Sequence, residues 1–311
     1  MSNEVTVAFV KQFNANTIHL SQQRASRLVP NTRNETQASK AQFFERIGLV
    51  TATKRVSRHQ DTVQIDTPHS RRQVTLSDFD HSDLVDEADK IRLLIDPASE
   101  YAKSFEMAFG RAMDDVLIEA ASGDAFGGEE GTIAVPLGDA QKLVSLTGTA
   151  LGFLNVQALR RIGTKFDTAE VDEADPRFCA YNAIQRESLL GQTEVTSSDF
   201  NVVKALVQGD IDTFVGLKFI RIQRLLLQAS ALLFDDVTGQ VGGNQNVDSI
   251  NATKVLAWSK MGLLFSRGKD MMTRITERND KSHSTQVFTN MTIGATRMEE
   301  PKVIEIHCKA A

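Results

Sequence analysis

The sequence predicts an α+β fold, and three observations carry that prediction. One is a long amphipathic helical pattern from Asp96 to Gly123. Another is a β-rich but polar stretch, Gly48 to Leu76, too poor in apolar side chains to form a core hairpin. The third is the second half of the chain, where helical and strand patterns alternate without a regular βαβ period.

The helix has the marks of a complete element. Asp96 can accept the free first-turn amides, Pro97 fits the first helical position, and Glu100 suits the positive end of the dipole. Ala98, Tyr101, Phe105, Phe109, Ala112, Val116 and Ala120 recur every three to four residues as one apolar stripe. Gly123 is expected to end the helix in the left-handed conformation. At about 1.5 Å per residue the rod approaches 40 Å, long enough to form the spine of a domain. Met107, Leu117 and Ile118 lie off the stripe, as additional core or as a second face for another subunit.

Before the helix the chain changes character twice. Residues 1–47 read as an arm: polar, thinly apolar, with six basic residues (Lys11, Arg24, Arg27, Arg33, Lys40, Arg46) against Glu4, Glu35 and Glu45. Such a segment orders best by lying on something else. From Gly48 the Val, Ile and Thr content and the alternation Thr62-Val63-Gln64-Ile65-Asp66 predict a long strand pair reaching into solvent. That hairpin is basic, with Lys54, Arg55, Arg58, Arg71 and Arg72 against Asp61 and Asp66. An acidic run follows: Asp78, Asp80, Asp83, Asp86, Glu87 and Asp89, with no Lys or Arg before Lys90. The two runs are either solvated surface or a head-to-tail contact in which one chain's hairpin lies on the next chain's acidic segment. The interface candidates are Arg55, Arg58, Arg71 and Arg72 against Asp78, Asp80, Asp83 and Asp86.

After the helix, Asn155 is expected to open a helix through Phe166. Phe178 to Tyr181 reads as a buried strand, and Asn182 caps a helix ending near Gly191. Ser198 or Asp199 caps another, running to Gly209. Val215 to Ile222 is a strand, 235–251 a polar loop, Lys254 to Trp258 a strand, and Lys260 to Phe265 a short helical or irregular piece. Val303 to Cys308 alternates as a closing strand.

No catalytic constellation is present. The sequence lacks a GxxxxGK[ST] phosphate loop, a GxSxG elbow and an HExxH pair, and its six histidines are dispersed. Asn244, Asn246 and Asp248 imitate half a calcium loop, but Ser249 stands where that loop needs glycine and Val255 where it needs glutamate. No enzymatic activity, cofactor or metal is therefore expected. A net charge of −5 argues against a dedicated nucleic-acid binder. The opening residues lack the apolar core of a signal peptide, and no apolar run is long enough to span a membrane. Cys179 and Cys308 read as buried thiols of a reducing compartment.

This order of segments resembles the major capsid proteins of tailed bacteriophages, the Hong Kong 97-type fold. LNVQALRRIGTKFDTAEV followed by RFCAYNAIQRESLLG is similar to that family's A-domain helix, strand and next helix. GDIDTFVGLKFIRIQRL resembles its glycine-containing strand, and ATKVLAWSKMGLLF and TNMTIGATRMEEPKVIEIHCK resemble its late strands. The resemblance implies an N-terminal arm (1–47), an E-loop hairpin with its acidic base (48–95), a P-domain with spine helix (96–150), an A-domain (151–284) and a return to the P-domain (285–311). It implies a major capsid protein of the virion, assembled in the host cytoplasm through hexamers and pentamers into an icosahedral shell around double-stranded DNA. The implied partners are the chain itself, a separate scaffolding protein, a portal protein and a decoration protein. With the hairpin beginning near Gly48, no amino-terminal scaffolding segment and no processing are expected. The rival readings are an encapsulin-like compartment shell, and an α+β ligand-binding protein or enzyme.

Overall fold

The structure, a computed structural model, describes residues 22–62, 64–85, 98–147, 150–192, 213–225, 227–229, 232–234, 245–247 and 251–310. The expected Asp96–Pro97 cap, the acids Asp86, Glu87 and Asp89, and the helix after Ser198 lie outside the described residues. In chain order the strands are β1 (Arg33–Thr36), β2 (Ala41–Ile47), β3 (His69–Thr75), β4 (Ser77–Val85), β5 (Ala125–Gly127), β6 (Ile133–Val135), β7 (Lys142–Val144), β8 (Leu146–Thr147) and β9 (Ala150–Leu151), then β10 (Arg177–Tyr181), β11 (Thr213–Phe214), β12 (Leu217–Arg221), β13 (Leu227–Ala229), β14 (Leu232–Phe234), β15 (Gln245–Val247), β16 (Asn251–Ser259), β17 (Leu263–Arg278), β18 (Ser284–Arg297) and β19 (Val303–Lys309). The helices are α1 (Ala98–Ser122), α2 (Val156–Thr168) and α3 (Ala183–Leu190).

Contacts divide the chain into two units. The larger holds residues 27–76, 114–268 and 294–311, and the smaller holds 1–26, 77–113 and 269–293. The core of the larger unit is a sheet in the order β11-β12-β10-β16-β19-β7, with β13 also pairing β16. One face of it packs Leu159, Ile162 and Phe166 of α2 and Leu189 of α3 against Cys179, Val255, Ile304 and Ile306. Both helices start where the sequence places them. Asn155 Oδ1 accepts the Ala158 amide at 2.7 Å, and Asn182 Oδ1 accepts the Gln185 amide at 2.9 Å. Val215 and Gly216 have positive φ (51° and 71°) and form the two-residue turn between β11 and β12. The strand expected from Val215 therefore begins only at Leu217.

A second sheet of this unit has the order β2-β3-β5-β6. It corrects the expected hairpin: the paired strands are 41–47 and 69–75, and the described residues between them form no strand. The described residues of the alternation around Ile65 therefore form no strand.

In the smaller unit β4 pairs antiparallel with β18, from Ser77↔Ile293 to Val85↔Thr285. Strand geometry sends alternate residues to opposite faces. Val287, Thr289, Met291 and Ile293 are buried on one face, and Phe105 and Phe109 of α1 are buried in the same unit. The His81 ring meets Phe105 edge-on at 4.3 Å. Strands β17 and β18 run through both units; β17 begins at Leu263, within the piece expected from Lys260 to Phe265 to be helical or irregular.

Within α1, Leu117 and Ile118, expected as core or as a second face, are fully buried and serve as core, with Ala121 and Asp114 buried beside them. The end of the helix differs from expectation. Gly123 does not adopt positive φ. It is needed for space instead: a Cβ there would stand 2.8 Å from the Glu119 carbonyl oxygen, which accepts the Gly123 amide at 2.7 Å.

Candidate assembly surface

The hairpin is rooted by its inward face. Phe44 and Val74 pack with Leu264 and Met298. Residues two apart share a face, so Arg72 follows Val74 inward and Arg46 follows Phe44. Arg72 is only 3% exposed and forms an ion pair with Glu300, whose other oxygen lies 3.8 Å from Arg46 Nη1. Burial lowers the Arg72 pKa and Glu300 only partly restores it. The chain can hold this buried cation because Glu300, itself 26% exposed, is paired with it.

Arg71 necessarily points the other way. It pairs with its cross-strand neighbour Glu45 at 3.1 Å and covers the Phe43 ring at 5.5 Å from the centroid. Arg55 donates from Nε to the Ser57 carbonyl at 2.8 Å and from Nη2 to the Arg58 carbonyl, and both Arg55 and Arg58 are exposed. Arg71, Arg55 and Arg58 thus stand at the surface, whereas Arg72 belongs to the interior of its own subunit.

The acidic candidates divide by strand parity. Asp78 and Asp80 share the face of β4 opposite His81, and Asp78 accepts the Thr292 hydroxyl at 2.6 Å. Asp83 lies on the His81 side and accepts the amide of Leu84 at 2.8 Å. Asp86 lies outside the described residues.

Sequence reasoning did not single out the most conspicuous property of the hairpin. Every described residue from Ile47 to Ser70 is exposed, including Leu49 at 92% and Val56 at 87%. Isolated exposed apolar residues are ordinary, but Leu49, Val50, Val56 and Ile65 fall within one connection whose described residues make no sheet. The signal was available in the GLV that opens the segment, an apolar run with no periodic partner.

Buried charge also fixes the framework behind the root. Arg297 is fully buried and donates to the carbonyls of Ala121 (3.0 Å), Gly123 (2.7 Å) and Val135 (2.8 Å). On β19, Glu305 Oε1 lies 2.8 Å from His307 Nε2 and 3.3 Å from Lys254 Nζ. Burial opposes the Glu305 charge, but His307 and Lys254 together hold its pKa below the usual carboxylate value. None of this forms a reactive cleft: among the described residues no group of three or more His, Cys, Asp or Glu side chains could hold a metal ion. Among them, too, no helix is long and apolar enough to cross a membrane.

An α+β subunit with a long spine helix, a two-strand hairpin ending in an exposed apolar and basic connection, and a separate sheet-and-helix core is the architecture of a viral shell protein. The family model described as phage capsid protein matches residues 5–310, and the chain belongs to that family. Its fold is similar to the capsid of the cyanophage P-SCSP1u, at 18% identity and a TM-score of 0.71, over 99% of this chain and 95% of that one. It is equally similar to the acidic stable capsid of Helicobacter pylori bacteriophage KHP30, at 10% identity and a TM-score of 0.71, over 99% and 98% of the two chains. The capsid of Ralstonia phage GP4 follows, at 12% identity and a TM-score of 0.68, over 97% and 96%. A search of curated proteins gives no significant match. The expected Hong Kong 97-type α+β fold is the fold found, and the chain is a structural capsid protein of bacteriophage.

Proposed function

We propose that this chain is the repeating subunit of an icosahedral shell, joining copies of itself into five- and six-membered rings that close around packaged double-stranded DNA. The observation that supports this reading is the hairpin connection, exposed along its described length and carrying Leu49 and Val56 almost fully in solvent. Covering two such side chains is worth roughly 1.5–3 kcal/mol each, a strong incentive to dock on another surface. The cations Arg55, Arg58 and Arg71 give that docking a direction, toward Asp78, Asp80, Asp83 or Asp86 of a neighbour. Exposed pairs contribute only about 0–1 kcal/mol each, but repeated around a ring they set register. Such contacts are head-to-tail, and head-to-tail contacts form rings when the rotation from copy to copy closes.

In this reading the arm, E-loop, P-domain and A-domain remain proposed divisions of the chain, with the hairpin root at Ala41. Its function is mechanical and uses no catalytic group. DNA is enclosed without sequence reading, in keeping with a net charge of −5. A scaffolding protein and a portal would direct closure, and the protein would assemble in the host cytoplasm.

The test is sedimentation of the purified protein, alone and with its scaffolding partner, followed by negative-stain imaging. Closed shells or five- and six-membered rings are expected. A second arm replaces Arg55 and Arg58 by Glu, leaving the buried Arg72 untouched. Reduced yield and altered salt dependence are expected, and wild-type assembly by that variant would remove the proposed charge pairing.

A further inference from the structure

The geometry points to a second contact between copies, an antiparallel pairing of the outer edge of β17 with the same edge of another subunit, centred on Thr273. It draws on the shell reading only in taking the partner to be a second copy. Strand β1 covers the outer side of β17 from Leu264 to Arg267, where Gln37 also donates its amide to the Arg267 carbonyl at 2.9 Å. From Gly268 onward no described strand pairs with that side. Among the described residues, 269–277 therefore present roughly 30 Å of sheet edge with no strand paired to it. Such edges are ordinarily kept short, bulged, charged or interrupted by proline; residues 263–278 contain no proline, and the charges of this edge are Lys269, Asp270, Arg274, Glu277 and Arg278. Met272 and Ile275 are 43% and 53% exposed there.

The sequence of this edge is complementary to itself in one register. With Thr273 opposite its own copy, Lys269 faces Glu277, Met271 faces Ile275 and Met272 faces Arg274, each twice because the contact is twofold. Opposite charges and apolar pairs directly across a strand pair each favour pairing. Neighbouring registers are worse. Centring on Arg274 sets that cation against itself, and a half-step shift sets Lys269 against Arg278 and Asp270 against Glu277.

The favoured register also keeps the subunits the same way up. The Thr273 hydroxyl meets that of Thr289 at 2.9 Å, and Thr289 stands opposite His81, whose ring rests on Phe105. Odd-numbered residues of β17 thus lie on the helix side. Pairing odd with odd leaves both helices on one side of the joined sheet, so both subunits can turn the same face to the shell interior. A strand pair of this length buries less than a stable isolated dimer needs. It is a joint that closes within an assembly.

The experiment uses assembled particles of full-length Thr273→Cys, oxidised and run on non-reducing denaturing gels. The native thiols do not interfere, because Cys179 and Cys308 are both fully buried. A majority of chains running as dimers is expected, with Thr276→Cys, which faces Asp270 in this register, giving few. Lys269→Glu and Glu277→Lys should each reduce sedimenting material several-fold, and the double exchange should restore it. Intact particles with no Thr273→Cys dimers, or single reversals that assemble like wild type, overturn the pairing and leave the shell reading standing. If wild type forms no particles, the soluble variant is oxidised at high concentration instead. Dimers then support the edge pairing while the shell reading fails, and monomers remove both.

Discussion

The Asp114 carboxylate accepts the backbone amides of both Leu28 and Arg27 at 3.1 Å, inside the larger unit and fully shielded from water. The acceptor on α1 thereby ties Arg27 and Leu28 to the helix. Trp258 adds a second tie, donating its indole N–H to the Asn31 carbonyl at 3.0 Å. Asp114→Ala removes a charged acceptor and leaves two amides without that partner, which should cost about 1–3 kcal/mol. Asp114→Asn keeps one acceptor oxygen and should cost less. Thermal unfolding with limited proteolysis between Ser26 and Arg33 checks both; unchanged cleavage in the alanine variant would count against the anchoring role.

Arg297 should tolerate substitution still less. Its guanidinium gathers the carbonyls of Ala121, Gly123 and Val135, so one side chain holds the end of α1 to β6. Hydrogen bonds to a charged group contribute about 1.5–3 kcal/mol each. Arg297→Met should therefore lower the melting temperature by many degrees or prevent folding. Arg297→Lys should recover little, since an ammonium on a flexible stem lacks the planar fork that reaches three acceptors. A lysine variant that melts with the wild type would refute this account.

What the sequence made legible was local. Asn155 and Asn182 declared their helices because a cap needs only one side chain and an amide three residues on. The closing strand declared itself by alternation, with Ile304, Ile306 and Cys308 all buried on one face. The β17–β18 pair was obscured for a physical reason: Leu263, Leu264 and Phe265 are buried consecutively, while the rest of β17 is mostly polar and exposed, so the strand shows no single period. Asp114, Arg297 and Glu305 were not legible at all, because what makes them important is partners distant in sequence. Arg71 and Arg72 are an intermediate case. Parity with Val74 could have told which of them turns inward, but only once the strand's register was known.

The two cysteines should be chemically silent in the folded protein. Burial pushes the Cys179 pKa up to about 12 and raises that of Cys308 well above the ordinary thiol value. Only the thiolate is an effective nucleophile, and neither sulfur is reachable by water. A thiol-reactive disulfide reagent at pH 8 is expected to label no cysteine in the native chain and both in denaturant. Labelling of one cysteine at native stability would show that the sheet opens locally around β10 or β19.

Glu305 gives the fold an acid limit with a definite sign. Its folded pKa lies below the usual carboxylate value because His307 and Lys254 outweigh the burial that opposes its charge. A carboxyl whose folded pKa is depressed binds fewer protons than the unfolded chain does. Its contribution is complete above the unfolded value, about 4.3, and disappears as pH falls through the folded value. Glu305→Gln abolishes that titration and leaves Lys254 without its counterion. The variant should be less stable than wild type at pH 7, by about 1–3 kcal/mol, and the gap should narrow steadily below about pH 4. Urea midpoints measured from pH 7 down to pH 3 provide the check. Parallel curves across that range would mean that Glu305 is held by packing and not by its charge.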